Sequence, residues 1–165
     1  MKLTQTLFLL IVSTLGFSQT KLDSLVFVEI NNYRISNGLN TLELSDVSFK
    51  AANHHSKFLL RTGKVGHTED TLTTVSDRVK FYGLTPIHIG ENVSSLSINV
   101  KDSDTQSLNK VAKEVVKSWI NSTEHNAILL SDFKLCGVSC VVVTKSVGIK
   151  EWSNFSVIST LVLIK

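Results

Sequence analysis

Two histidines and one glutamate stand in three separated short stretches of this chain, each beside an expected helix or turn. His67 follows Gly66, downstream of Ala52-Asn53-His54-His55-Ser56. Glu91 lies in Gly90-Glu91-Asn92-Val93, and His125 closes Trp119-Ile120-Asn121-Ser122-Thr123-Glu124-His125. Side chains so far apart in sequence meet only when a fold gathers them. Gathered imidazole and carboxylate groups can hold a metal or move a proton. As a set, His67, His125 and Glu91 could make a zinc site with one position open to water. Each ligating imidazole would then need its other nitrogen fixed by an acceptor, and Asn92, Thr68 and Glu69 are near in sequence. The same three groups can instead hydrogen-bond one another, satisfying buried polar atoms and tying loops together.

Other catalytic chemistry has little support in the residues. A serine nucleophile needs a base within reach and a strained turn that exposes it. Ser56 and Ser122 are helix-associated and lack a Gly-x-Ser-x-Gly setting. A metal-activated water with Glu91 as base is the better enzymatic scheme, yet no catalytic residue is fixed. His55 falls between alanines on an inward helix face, as a core histidine would, and could support His67 from behind. His54 points toward another face. Trp119 shares helical register with Val111, Val115 and Ile120 and reads as core. Glu124 and His88 only flank the candidate residues.

Helices and strands must position these groups. Thr20 or Asp23 can cap a first helix to about Ser36, with Gly38 beyond its end. A second begins after Ser45 or Asp46 and closes on Gly63, burying Val47, Ala51, Ala52, His55, Phe58 and Leu59. Residues 63–76 read as a long polar loop carrying His67. Ser76 can cap a short helix through Tyr82. Residues 87–93 suggest a turn or strand end, and 94–105 a polar loop. A clear amphipathic helix follows through Leu108, Val111, Ala112, Val115 and Trp119. Ser122 then sits at the N-cap of another helical turn. Residues 135–143 and 152–164 are apolar at nearly every position, with a turn over 146–151. Strands buried on both faces read that way, so a sheet between helical layers is expected.

At 165 residues, 42% hydrophobic and 19% charged, the chain fits one globular domain with a real core. Lys2, an apolar run over 7–15 too short to span a bilayer, and small residues at Gly16 and Ser18 form a signal-peptide pattern over residues 1–18. The mature single domain would then run over 19–165, exported or periplasmic and without a transmembrane segment. The formal charge of +3 is scattered among acids. No basic stripe with interleaved aromatics appears, so nucleic acid is not expected as a partner. Cys136 and Cys140 share one strand face; four residues of strand span roughly 13 Å, past the roughly 7 Å Cα limit for a disulfide. They are expected to be free, buried and inert.

The order of these stretches resembles the CAP superfamily of cysteine-rich secretory, antigen 5 and pathogenesis-related 1 proteins, in its bacterial SCP-like branch. The resemblance rests on Ile30-Asn31-x-x-Arg34-x-x-x-Gly38-Leu39, Ala52-x-x-His55-Ser56 with His67, then Arg78 and Gly83. Gly90-Glu91-Asn92, Val116-x-x-Trp119, Ser122-x-x-His125 and Gly137-Val138 continue it. It implies an α+β fold, a three-layer α-β-α sandwich around a central antiparallel sheet. It also implies a cleft lined by two histidines and usually two glutamates. His67, His125 and Glu91 match three of these; Ser122 stands where plant and animal members carry the second glutamate. His55, Asn92 and Ser122 become supporting residues around that cleft. The implied role is a secreted, non-catalytic binding or signalling module for a small ligand, lipid or divalent ion. A metal-dependent hydrolase using His67, His125 and Glu91 is the alternative. A scaffold that meets an extracellular protein, with a purely structural His/Glu cluster, is another. The sequence fixes no cofactor; a divalent metal such as zinc is the candidate.

Overall fold

The computed structural model describes residues 19–101, 105–146 and 152–165. The expected signal peptide and most of the turn over 146–151 lie outside these. Along the chain come α1 (Lys21–Ser36), β1 (Glu43–Leu44), α2 (Asp46–Thr62), α3 (Val75–Phe81) and β2 (Ile89–Lys101). α4 (Thr105–Ile120), α5 (Thr123–Leu129), β3 (Leu135–Ser146) and β4 (Trp152–Ile164) complete it.

Local signals explain most boundaries. Thr20 and Asp23 form a capping box at α1. Asp23 Oδ1 also accepts from the Cys140 amide at 2.6 Å, pinning the start of α1 to β3. Burial pushes the Asp23 acid up, and its hydrogen bonds to Thr20 and Cys140 oppose that shift. Ser45 caps α2, and Gly63, at φ 68°, ends it in the left-handed region. α3 begins two residues earlier than expected. Thr74 and Asp77 complete a reciprocal box, which outcompetes a Ser76 cap.

The sheet order is β1-β3-β4-β2. β2, β4 and β3 are antiparallel, whereas the short β1 pairs β3 in parallel, so the sheet is mixed at one edge. Residues 94–101, expected as a loop, continue β2 against β4. Leu96, Ile98 and Val100 alternate toward the core while Ser95, Ser97 and Asn99 face solvent.

Three layers result. α1, α4 and α5 cover one face around buried Trp119, Val115, Val138 and Leu161. α2 and α3 cover the other, where Ala51, Ala52 and Val79 meet Val162 and Ile164. The arrangement is the α-β-α sandwich expected. α2 lies directly on the sheet at Gly137, where an added Cβ would stand 1.9 Å from the Phe49 amide nitrogen. Cys136 and Cys140 are free and buried on the α1/α4 side. Burial pushes the Cys136 thiol up to about 12 and that of Cys140 higher still, which leaves both unreactive.

Candidate functional site

The site forms at the start of β2, the outermost strand on its side of the sheet. Period-two alternation sends Glu91 toward the α2/α3 layer and Asn92 toward the α4/α5 layer. The loop after α2 reaches the first and α5 reaches the second, so the two layers meet around this strand.

On the α2/α3 side, Glu91 is held from two directions. Arg78 of α3 makes a short charge-assisted contact with Glu91 Oε2, and His67 Nδ1 donates to Oε1 at 2.9 Å. Arg78 also donates to the His67 carbonyl at 3.3 Å, fixing the loop's path. The Arg78 guanidinium lies 3.4 Å from a second buried carboxylate, Glu69. Between the two carboxylates sits His55, fully buried. Its Nε2 donates to the Gly66 carbonyl at 2.8 Å and its Nδ1 lies 2.6 Å from Glu69 Oε1, with Glu91 Oε1 3.9 Å away. Both ring nitrogens are thus engaged. Arg78 faces both carboxylates, which meets the requirement that buried charges be paired. His54 faces a different opening, as its helical position implies, yet it joins the same network. Its Nε2 lies 3.2 Å from Glu69 Oε2 and its Nδ1 3.1 Å from the Tyr82 hydroxyl.

His125 arrives from the other layer on α5. Asn92 Nδ2 donates to its carbonyl at 3.0 Å. α5 is anchored from below by Arg34, whose guanidinium donates to the carbonyls of Leu129 at 2.6 Å and Ser131 at 2.9 Å. Tyr33 adds a hydroxyl bond to Asn126 Oδ1 at 2.8 Å. The His125 ring then stands 6.4 Å from the ring of His67, centroid to centroid. His67 is 55% exposed and Glu91 only 3%, so the histidines form the accessible rim and the carboxylate the floor.

The two rims differ electrostatically. The hydrogen bond to Glu91 raises the proton affinity of His67 above the ordinary imidazole range, against an opposing effect of burial. Burial lowers that of His125, and the nearby His67 charge lowers it further. Near neutral pH one ring is the better donor and the other the better acceptor. Opposed shifts on neighbouring groups are what separates an acid role from a base role.

The cleft matches a zinc site poorly. Among the described residues no three His, Cys, Asp or Glu side chains lie together as metal ligands. Arg78 and His67 each occupy one Glu91 oxygen, so the charge of this buried carboxylate is already paired. Ser122 caps α5 by position, without a side-chain cap bond, and offers its carbonyl to Asn126. Ser56 is fully buried, 3.0 Å from the Ser139 carbonyl and 2.9 Å from Thr160 Oγ1, which removes it as an exposed nucleophile. Sequence reasoning assigned no role to Arg78. Its signal was a charged residue adjoining the apolar Val75–Val79–Tyr82 stripe of α3.

The sequence profile of the cysteine-rich secretory protein family, CAP, matches residues 27–158. A comparison with curated proteins finds no match. Among solved structures, the chain is similar to an outer surface protein from Borrelia burgdorferi, with TM-score 0.65 and 23% identity. That alignment covers 90% of this chain and 96% of the other. It is also similar to an extracellular protein containing a SCP domain from Bacillus anthracis, with TM-score 0.64, 21% identity and 87% of this chain covered. A cysteine-rich secretory protein from Staphylococcus aureus gives TM-score 0.52 and 20% identity over 87% of this chain. This chain spans 40% of the Bacillus protein and 38% of the Staphylococcus protein. At these identities the likeness concerns the fold.

Proposed function

The chain belongs to the cysteine-rich secretory protein (CAP) family, and from that premise we propose that it is an exported, non-catalytic binding or signalling module. Its cleft, rimmed by His67 and His125 above Glu91, receives a small polar ligand. The observation that carries this reading is the state of Glu91. A general base must be free to take a proton, and a metal ligand must offer a lone pair. Glu91 is buried, and its charge is already paired with Arg78 on one oxygen and His67 on the other, an arrangement that suits orienting and charging the rim. A ligand bearing an acidic oxygen beside a hydroxyl suits that rim, with His67 donating and His125 accepting. Export is supported by the pattern over residues 1–18, read as a signal peptide ahead of a single domain at 19–165. It is supported further by the extracellular and outer-surface descriptions of the Bacillus and Borrelia proteins. No helix among the described residues is long and apolar enough to cross a membrane.

One observation favours the hydrolase reading, namely the opposed proton affinities of His67 and His125. The test separates the two. Purified wild type and a His67→Ala, His125→Ala variant are unfolded, and the small molecules released are compared by mass spectrometry. Both are also screened for ester, amide and phosphoester hydrolysis with and without zinc or chelator. The binding reading predicts a molecule that only wild type releases, no hydrolysis, and no zinc-dependent rise in melting temperature. Chelator-sensitive hydrolysis lost in the variant would establish the enzyme. No released molecule, no hydrolysis and no zinc response would leave the cluster structural.

A further inference from the structure

A second opening lies on the outer face of α2, away from the His67/His125 rim. Lys50, His54, Lys57 and Arg61 follow one another at spacings of four, three and four residues, so they form one stripe along the helix. Tyr82, at the C-cap of α3, faces this stripe across a cavity of about 320 Å³ that Asn53 and Phe58 also line. Such a volume is at the lower end of what small-molecule sites enclose, roughly 300 to 1,000 Å³.

The charges on this wall are unbalanced. Lys50 pairs with Asp46 at 2.6 Å. Among the described residues, neither Lys57 nor Arg61 has a carboxylate within 4.0 Å. Glu69 lies behind the wall, but its side chain is 1% exposed and already faces His54, His55 and Arg78. It is engaged by the network of the cleft and leaves Lys57 and Arg61 without an ion-pair partner among the described residues. Arg61 is held over the Phe58 ring at 5.7 Å, which limits the freedom its guanidinium would lose on binding. The Asn53 amide supplies a neutral donor in the same cavity, and the Tyr82 hydroxyl, 3.1 Å from His54 Nδ1, a further polar contact.

We propose that this groove binds a phosphate or sulfate ester, with Lys57 and Arg61 clasping the oxyanion and Tyr82 and Asn53 contacting its oxygens. Arginine presents a planar fork that matches tetrahedral oxyanions, and lysine adds a point charge. The site is independent of the ligand assigned to the His67/His125 cleft.

Amide and side-chain NMR of the whole chain tests it, with inorganic phosphate, glucose 6-phosphate and phosphatidylcholine vesicles containing phosphatidylglycerol as probes. Phosphate should shift the signals of Lys57, Arg61 and Tyr82 saturably. The Lys57→Glu, Arg61→Glu variant should bind at least about tenfold more weakly, since two charge-assisted bonds are lost and two like charges face the anion. The milder Lys57→Gln, Arg61→Gln variant guards against misfolding and should show the same direction. Lys113→Glu, Lys117→Glu on α4 should bind as wild type. Saturable binding of glucose 6-phosphate identifies a soluble ester as the source; vesicle binding lost in the Lys57, Arg61 variants identifies a lipid headgroup. Absence of saturable shifts with any probe, or phosphate binding unchanged in both Lys57, Arg61 variants, would overturn the proposal.

Discussion

At the scale of single residues, Glu91 has a different role from the one its type first suggests. A glutamate between two histidines reads as a third metal ligand or a base, yet Arg78 fixes one of its oxygens and His67 the other. The result is a pair of rim histidines with opposed proton affinities, and stability should carry their signature. His67 has a raised folded-state affinity. Its contribution is fully present below the ordinary imidazole value of about 6.5 and is lost as pH rises through its folded value. His125 has a lowered affinity. Its contribution is fully present above about 6.5 and is lost as pH falls through its folded value. The His125→Ala protein should therefore lose less stability than wild type on going from about pH 7.5 to pH 5, and His67→Ala should lose more. Urea unfolding at the two pH values checks this; identical pH profiles for both variants and wild type would contradict it. The types and order of His67, Glu91 and His125 were readable in the sequence. The pairing was not: Arg78 reaches Glu91 only through tertiary packing, and Glu69, near His67 in sequence, turns instead to His54, His55 and Arg78.

At the scale of elements, the sequence was most readable where local chemistry decides. Thr20 with Asp23, Ser45 and Gly63 mark their helix ends through bonds to neighbouring backbone. The second half of β2 was misread for a physical reason. Ser94, Ser95, Ser97 and Asn99 have the composition of a loop, while the alternation of Leu96, Ile98 and Val100 is what pairing with β4 uses. At the start of α3, two residues of capping type compete, and the reciprocal bond of Thr74 with Asp77 decides. Gly137 is the position where α2 and β3 touch backbone to backbone. Gly137→Ala should push the helix off the strand and destabilise the domain by about 3 kcal/mol, the upper part of the range for overpacked cores. A shift in the urea midpoint with unchanged slope is the expected reading. A midpoint equal to wild type would mean that α2 does not lie as described.

At the scale of the whole molecule, the sandwich brings two layers around one edge strand, and that wrapping makes the cleft. His67 comes with the α2/α3 layer and His125 with the α5 layer, so neither layer alone contains the site. Arg34 and Tyr33 tie α5 to α1, and Arg78 ties the His67 loop to α3. The layered architecture was foreseeable from the doubly buried strands 135–143 and 152–164. The small parallel strand β1 was not, because two exposed residues carry no periodic signal. The central claim is that the fold makes His67 and His125 a single electrostatically coupled pair. The most direct test is an NMR titration of the histidine rings in wild type and in His67→Ala. The account predicts that His67 titrates above the ordinary imidazole range and His125 below it, and that removing His67 moves His125 upward, because a nearby positive charge has been lost. Two rings that titrate at ordinary values, with His125 indifferent to the loss of His67, would contradict it.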